Sequence, residues 1–74
     1  MNSETVHAIR ISKGLSQAAF AKSLGVAEST IAAVESRHRN VSDNLRTRIK
    51  QTFGGDPEVE EALKRAKEFE KLAL

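Results

Sequence analysis

The chain has no cysteine, no tryptophan and no tyrosine, and only one proline and one methionine. Without cysteine there is no disulfide staple and no thiolate metal site. The only two histidines, His7 and His38, are far apart in sequence, which argues against a metal site of another kind. Aromatics make up 4% of the 74 residues, so the core must be aliphatic, with three phenylalanines added. No apolar run approaches the roughly 20 residues of a membrane span, and no signal-peptide apolar segment is present. The expectation is a soluble, cytoplasmic chain of one small domain, with no cofactor and no membrane partner. Catalytic sets are missing too. No carboxylate dyad, phosphate loop or nucleophile–base pair can be assembled. Ser29 and His38 come nearest, and no third group supports them.

What is present is charge, unevenly spread. Residues 1–53 hold eight Lys and Arg against Glu4, Glu28, Glu35 and Asp43, a net of +4. Residues 54–74 hold Lys64, Arg65, Lys67 and Lys71 against six acids, a net of −2. A mildly basic front followed by a mildly acidic tail suits a polyanion-binding segment with an appendage of different purpose.

Apolar spacing and stop signals predict five helices and no strands. Ser3 is the expected cap of a first helix running to about Lys13, with Val6 and Ile9 on its buried stripe and Gly14 ending it. Ser16 caps a second helix, 17–24. Gly25 and Val26 form a turn, and a third helix begins at Ala27 or Glu28 and runs to Ser36. The loop SRHRN, residues 36–40, is polar and basic. Ser42 caps a fourth helix, 43–53, with Leu45, Ile49 and Phe53 at i, i+4, i+8. Asp56-Pro57 starts a fifth helix that extends nearly to the C-terminus.

The segment QAAFAKSLGVAESTIAAVES, Gln17 to Ser36, carries the most information. Ala18, Ala19, Phe20, Ala21 and Leu24 give its first half an apolar face. Gly25 breaks the helix, and Ile31 and Val34 carry the second half. Ala21 sits where the two helices approach closest, and Gly25 permits the positive φ of a tight turn. This is the sequence form of a helix-turn-helix, whose second helix enters the DNA major groove. From Val6 to Gly54 the chain resembles the lambda-repressor-like (Xre-type) family, through KGLSQAAFAKSLGV at 13–26, STIAAVES at 29–36 and NVSDNLRTRIKQTFG at 40–54. The resemblance implies an all-α fold, a compact bundle of about five helices, that binds operator DNA, typically as a dimer.

The resemblance also assigns roles by position. Glu28, Ser29 and Ala33 stand where the family commonly meets base edges. Glu28 can accept from cytosine N4, Ser29 can bond several bases and Ala33 can touch a thymine methyl. The alternatives are a carboxylate favoured by the helix dipole at Glu28 and plain helix formers at Ala32 and Ala33. Ser16 and Gln17 are expected to hold a phosphate, the Gln position doing so in the family. Arg37, Arg39 and Asn40 are candidates for the flanking backbone; a solvated loop is the alternative. The family often joins the positions of Arg10 and Glu35 in an ion pair. The third helix has no Arg, Asn or Gln for strong bidentate base contacts, and Ala27 replaces the usual Ser or Thr cap. Both departures argue against strong direct readout: either specificity is modest, or it comes partly from DNA shape and from basic residues outside the helix.

Residues 1–55 thus read as a DNA-binding core and residues 56–74 as an amphipathic helix. Its stripe is Val59, Ala62, Ala66, Phe69 and Ala73, widened by Leu63 and Leu72. Val59 and Leu63 suit packing on the core; Phe69, Leu72 and Leu74 suit a homodimer contact or a protein partner. Ile11 is apolar where the family is usually solvated. The expected function is sequence-specific binding of double-stranded DNA as a repressor. The alternative is a protein-interaction module that keeps the fold and uses the C-terminal helix as its partner site.

Overall fold

A buried threonine decides where the first helix begins. The Thr5 hydroxyl is out of solvent and donates to Asn2 Oδ1 at 2.8 Å, and the Thr5 backbone N–H donates to the same oxygen at 2.9 Å. Asn2 is therefore the cap, and Ser3, the residue expected there, lies inside the first turn. Both residues are good caps; the hydroxyl that needs an acceptor selects between them.

The computed structural model describes the backbone of residues 1–73 and the side chains of residues 1–65 and Glu68. Five helices follow in order: α1 (Ser3–Ser12), α2 (Gln17–Leu24), α3 (Glu28–Glu35), α4 (Asp43–Phe53) and α5 (Pro57–Ala73). No strand occurs among the described residues. Ser16 and Ser42 cap α2 and α4, each accepting at 3.1 Å from the backbone N–H three residues on. Asp56 accepts from Glu58 N–H at 2.9 Å ahead of Pro57.

The first three helices end in one way. After α1, Leu15 N–H reaches Arg10 O and Gly14 N–H reaches Ile11 O; after α2, Val26 N–H reaches Ala21 O and Gly25 N–H reaches Lys22 O; after α3, His38 N–H reaches Ala33 O and Arg37 N–H reaches Val34 O. Each pair closes a Schellman motif around a residue in the left-handed region. Two of those residues are Gly14 and Gly25. The third is Arg37, at φ 68°.

The core draws on every helix. Val6 and Ile9 come from α1, Phe20, Ala21 and Leu24 from α2, and Ile31 and Val34 from α3. Leu45, Ile49 and Phe53 come from α4 and Val59 from α5. Phe20 and Phe53 stack with ring centroids 5.6 Å apart, tying α2 to α4. α5 lies mainly against α1, and α2 against α3. At the start of α5, Lys13 Nζ meets Asp56 at 2.7 Å and Glu58 at 3.8 Å. Leu63 packs on the core from its next turns. This frame holds α2 and α3 at a set angle, with the first turn of α3 facing outward.

Candidate nucleic-acid interface

The turn between α2 and α3 is held from behind by α4. Gly25 takes φ 69°, ψ 32°. A Cβ there would come within 3.1 Å of Arg48 Nη1. That guanidinium donates to Leu24 O at 3.1 Å and, through Nε, to Asn44 Oδ1 at 2.8 Å. A cation thus sits on the last carbonyls of α2, where the helix dipole favours it. Arg48 was countable in the sequence only as one basic residue among eight. Its reach to a carbonyl 24 positions away left no local signal.

Behind α3 is a second clamp. Arg10 donates from Nε to Glu35 Oε2 at 2.9 Å and from Nη2 to Glu35 Oε1 at 2.9 Å. Its Nη1 donates to Leu15 O, also at 2.9 Å. One guanidinium therefore joins α1, the loop before α2, and the last turn of α3. The Glu35 side chain is 7% exposed and that of Arg10 14%. Burial alone would raise the Glu35 pKa, but hydrogen bonds from Arg10 and His7 outweigh it and hold the carboxyl below its ordinary value. His7 Nδ1, 2.5 Å from Glu35 Oε1, is a partner that sequence reasoning missed. It lies on the exposed face of α1 one turn before Arg10, the i, i+3 spacing that brings two side chains onto one carboxylate.

On the outer side, Glu28 and Ser29 are exposed, with no side-chain partner among the described residues, and Ala32 and Ala33 are half-buried. Ala27 takes the extended cap conformation but contributes no side-chain hydrogen bond. Thr30 N–H donates to Ala27 O at 3.0 Å, so the uncapped N–H groups of the first turn of α3 are those of Glu28 and Ser29. At the start of α2, the Ser16 oxygen is occupied by Ala19 N–H while its hydroxyl proton stays free to donate. The amide of Gln17 engages no group of the domain.

The loop after α3 divides its polar residues. Arg39 and Asn40 are exposed, with no side-chain partner among the described residues, His38 bonds Ser36 Oγ at 2.7 Å, and Arg37 forms an ion pair with Glu4 at the start of α1. The front half's positive charge is partly spoken for in the same way. Arg10, Lys13, Arg37 and Arg46 are in ion pairs, whereas Lys22, Arg39, Arg48 and Lys50 are in none among the described residues. The side chains of Phe69 and Leu72, and the whole of Leu74, lie outside the described residues. Ile11, also apolar, is 56% exposed.

Two short helices at a glycine turn, an outward first turn on the second and paired clamps behind it define a helix-turn-helix DNA-binding domain. The helix-turn-helix family model matches residues 6–59, more than half of the chain. The chain belongs to the lambda-repressor-like (Xre-type) helix-turn-helix family of DNA-binding transcription regulators. Among curated proteins and solved structures no significant match is found. No helix of the described residues is long and apolar enough to cross a membrane.

Proposed function

We propose that the chain is a repressor that binds operator DNA sequence-specifically as a homodimer, α3 of each copy entering the major groove. One observation supports this reading: the first turn of α3 is outward, its Glu28 and Ser29 side chains have no partner among the described residues and it lacks a side-chain cap, while its last turn is locked to α1. A rigid helix that presents an open N-terminal turn is built to meet something.

In this reading Glu28, Ser29 and Ala33 meet base edges, and Ser16 and Gln17 grip a phosphate at the start of α2. Arg39 and Asn40 flank it along the backbone, joined by Arg37. Two half-sites about one helical turn apart would place both α3 helices on one face of the duplex. Repression would follow from occluding a promoter. The end of α5, with Phe69, Leu72 and Leu74, is the proposed pairing element.

Selection from a random duplex library, followed by binding to the recovered site over a range of salt, tests the reading. A recovered inverted repeat with steep salt weakening is the expected result. Absence of binding to any duplex at low salt would overturn it, and would favour the protein-interaction reading of the same fold.

A further inference from the structure

Three observations meet at the end of the proposed recognition helix. Arg37 occupies the left-handed region at φ 68°, a conformation that glycines, Gly14 and Gly25, supply at the corresponding places after α1 and α2. Its guanidinium pairs with the Glu4 carboxylate, across the gap between the loop after α3 and the first turn of α1. Between these elements lies an open polar cleft of about 350 Å³, bordered by Arg37, Glu4, Asn40 and Val41. Arg39, two residues on, has no such acid among the described residues.

We infer that Glu4 acts as an internal stand-in for a DNA phosphate, holding Arg37 in the free protein and competing with the backbone for it. The inference rests on the DNA-binding reading above. Its chemistry is simple. A carboxylate and a phosphate present the same anionic oxygens to a guanidinium, and the Nη2 that Glu4 Oε1 holds is a donor that a phosphate would otherwise take. Arg37 is at the edge of the face that α3 presents, so the strand running past the end of α3 meets it already engaged. Both side chains are largely exposed, 72% for Arg37 and 46% for Glu4. An ion pair so wet is weak enough to exchange. Phosphate contacts position a domain without reading sequence, so Glu4 sets the affinity for all duplexes alike, not the choice among them. Glu4 is a positioning residue here, acting through Arg37, and its own charge also faces the approaching polyanion.

A double-mutant cycle separates the two effects, with binding of a random-sequence duplex at low salt as the readout. Glu4→Gln in the full chain should tighten binding about two- to fivefold, the range expected for release of one exposed ion pair. Arg37→Ala should weaken it, and Glu4→Gln added to Arg37→Ala should then gain clearly less than it does alone, leaving only the relief of the carboxylate's own repulsion. If the gain from Glu4→Gln persists undiminished without Arg37, the carboxylate is only a general repulsive charge and the inference fails. It fails equally if Glu4→Gln binds as the unaltered chain does. If the unaltered chain binds no duplex at all, the DNA-binding reading itself falls, an outcome distinct from the other two. Both positions are on the surface, and thermal melting of each variant should stay within a few degrees of the parent.

Discussion

Arg10 and Glu35 face each other from α1 and α3 as a two-point pair, Nε to Oε2 and Nη2 to Oε1, both at 2.9 Å. The same guanidinium spends its remaining nitrogen on Leu15 O. Removing Arg10 would leave the largely buried Glu35 carboxylate with His7 alone, and removing Glu35 would leave the guanidinium with Leu15 O. Glu35→Ala or Arg10→Ala should each cost about 3 kcal/mol in urea unfolding. The paired replacement Arg10→Met with Glu35→Leu should recover most of that loss, because two apolar side chains leave no charge unsatisfied.

The acid limb of stability should belong largely to Glu35 and Asp56. Burial opposes ionisation of Glu35, but Arg10 and His7 overcome it, and its pKa lies below the ordinary 4.5. Asp56 is held below 3.8, first by its hydrogen bond from Lys13. For a depressed carboxylate the contribution is complete above the unfolded value and is lost as pH falls through the folded one. Lys13 is shifted the other way, raised above 10.5, again first by its bond to Asp56. Its contribution is complete below the unfolded value and is lost as pH rises through the folded one. Melting temperature against pH should therefore fall at both extremes. Glu35→Gln should flatten the acid limb, and Lys13→Met should flatten the alkaline one and part of the acid one.

Gly25 and Arg37 share a backbone conformation and should respond to substitution in opposite directions. Gly25→Ala forces a Cβ into the left-handed region and against Arg48 Nη1, and should cost about 1–2 kcal/mol. Arg37→Gly relieves the same strain, for a gain of about 1 kcal/mol less the exposed pair with Glu4. The gain should be accompanied by weaker duplex binding. Chemical denaturation and a binding titration on the same samples check both halves.

Ala27 leaves the first turn of α3 without a side-chain cap. Ala27→Ser should add about 1 kcal/mol of stability. If the open N–H groups there contribute to DNA binding, the same variant should bind its selected site less tightly while melting higher.

Glu28 and Gln17 separate reading from gripping. Glu28→Ala should relax preference at one base pair of the selected site, at about 1–3 kcal/mol of discrimination. Gln17→Ala should weaken binding to selected and random duplexes by the same factor. Unchanged specificity in Glu28→Ala would return that carboxylate to a helix-dipole role.

Much of the fold is local and therefore legible in the chain. Ser16, Ser42 and Asp56-Pro57 announce helix starts within three residues of the groups that they cap. Leu45, Ile49 and Phe53 repeat at the helical period, and all three are buried. Gly14 and Gly25 mark stops that no other residue makes as cheaply. Legibility failed where a side chain acts across the fold. Asn2 rather than Ser3 caps α1 because a buried hydroxyl asks for its oxygen. The third partner of Arg10 and Glu35 is His7, hinted at only by its i, i+3 spacing from Arg10, and the residue that seats the Gly25 turn is Arg48, which no local pattern marks.

By itself the sequence determined five helices, most of their ends and the apolar faces of the first four, because propensity, capping and periodicity act over a few residues. It also identified the helix-turn-helix, since Ala21, Gly25, Ile31 and Val34 each have a steric reason at that spacing. Only the tertiary structure decided which charges are spent inside the domain and which remain for a partner. Arg37 and Arg39 are near neighbours of one chemistry, yet one is paired with Glu4 and the other is not. Composition counts both as +1. Charges pair through space, and the distance between α1 and the end of α3 exists only once the core has packed.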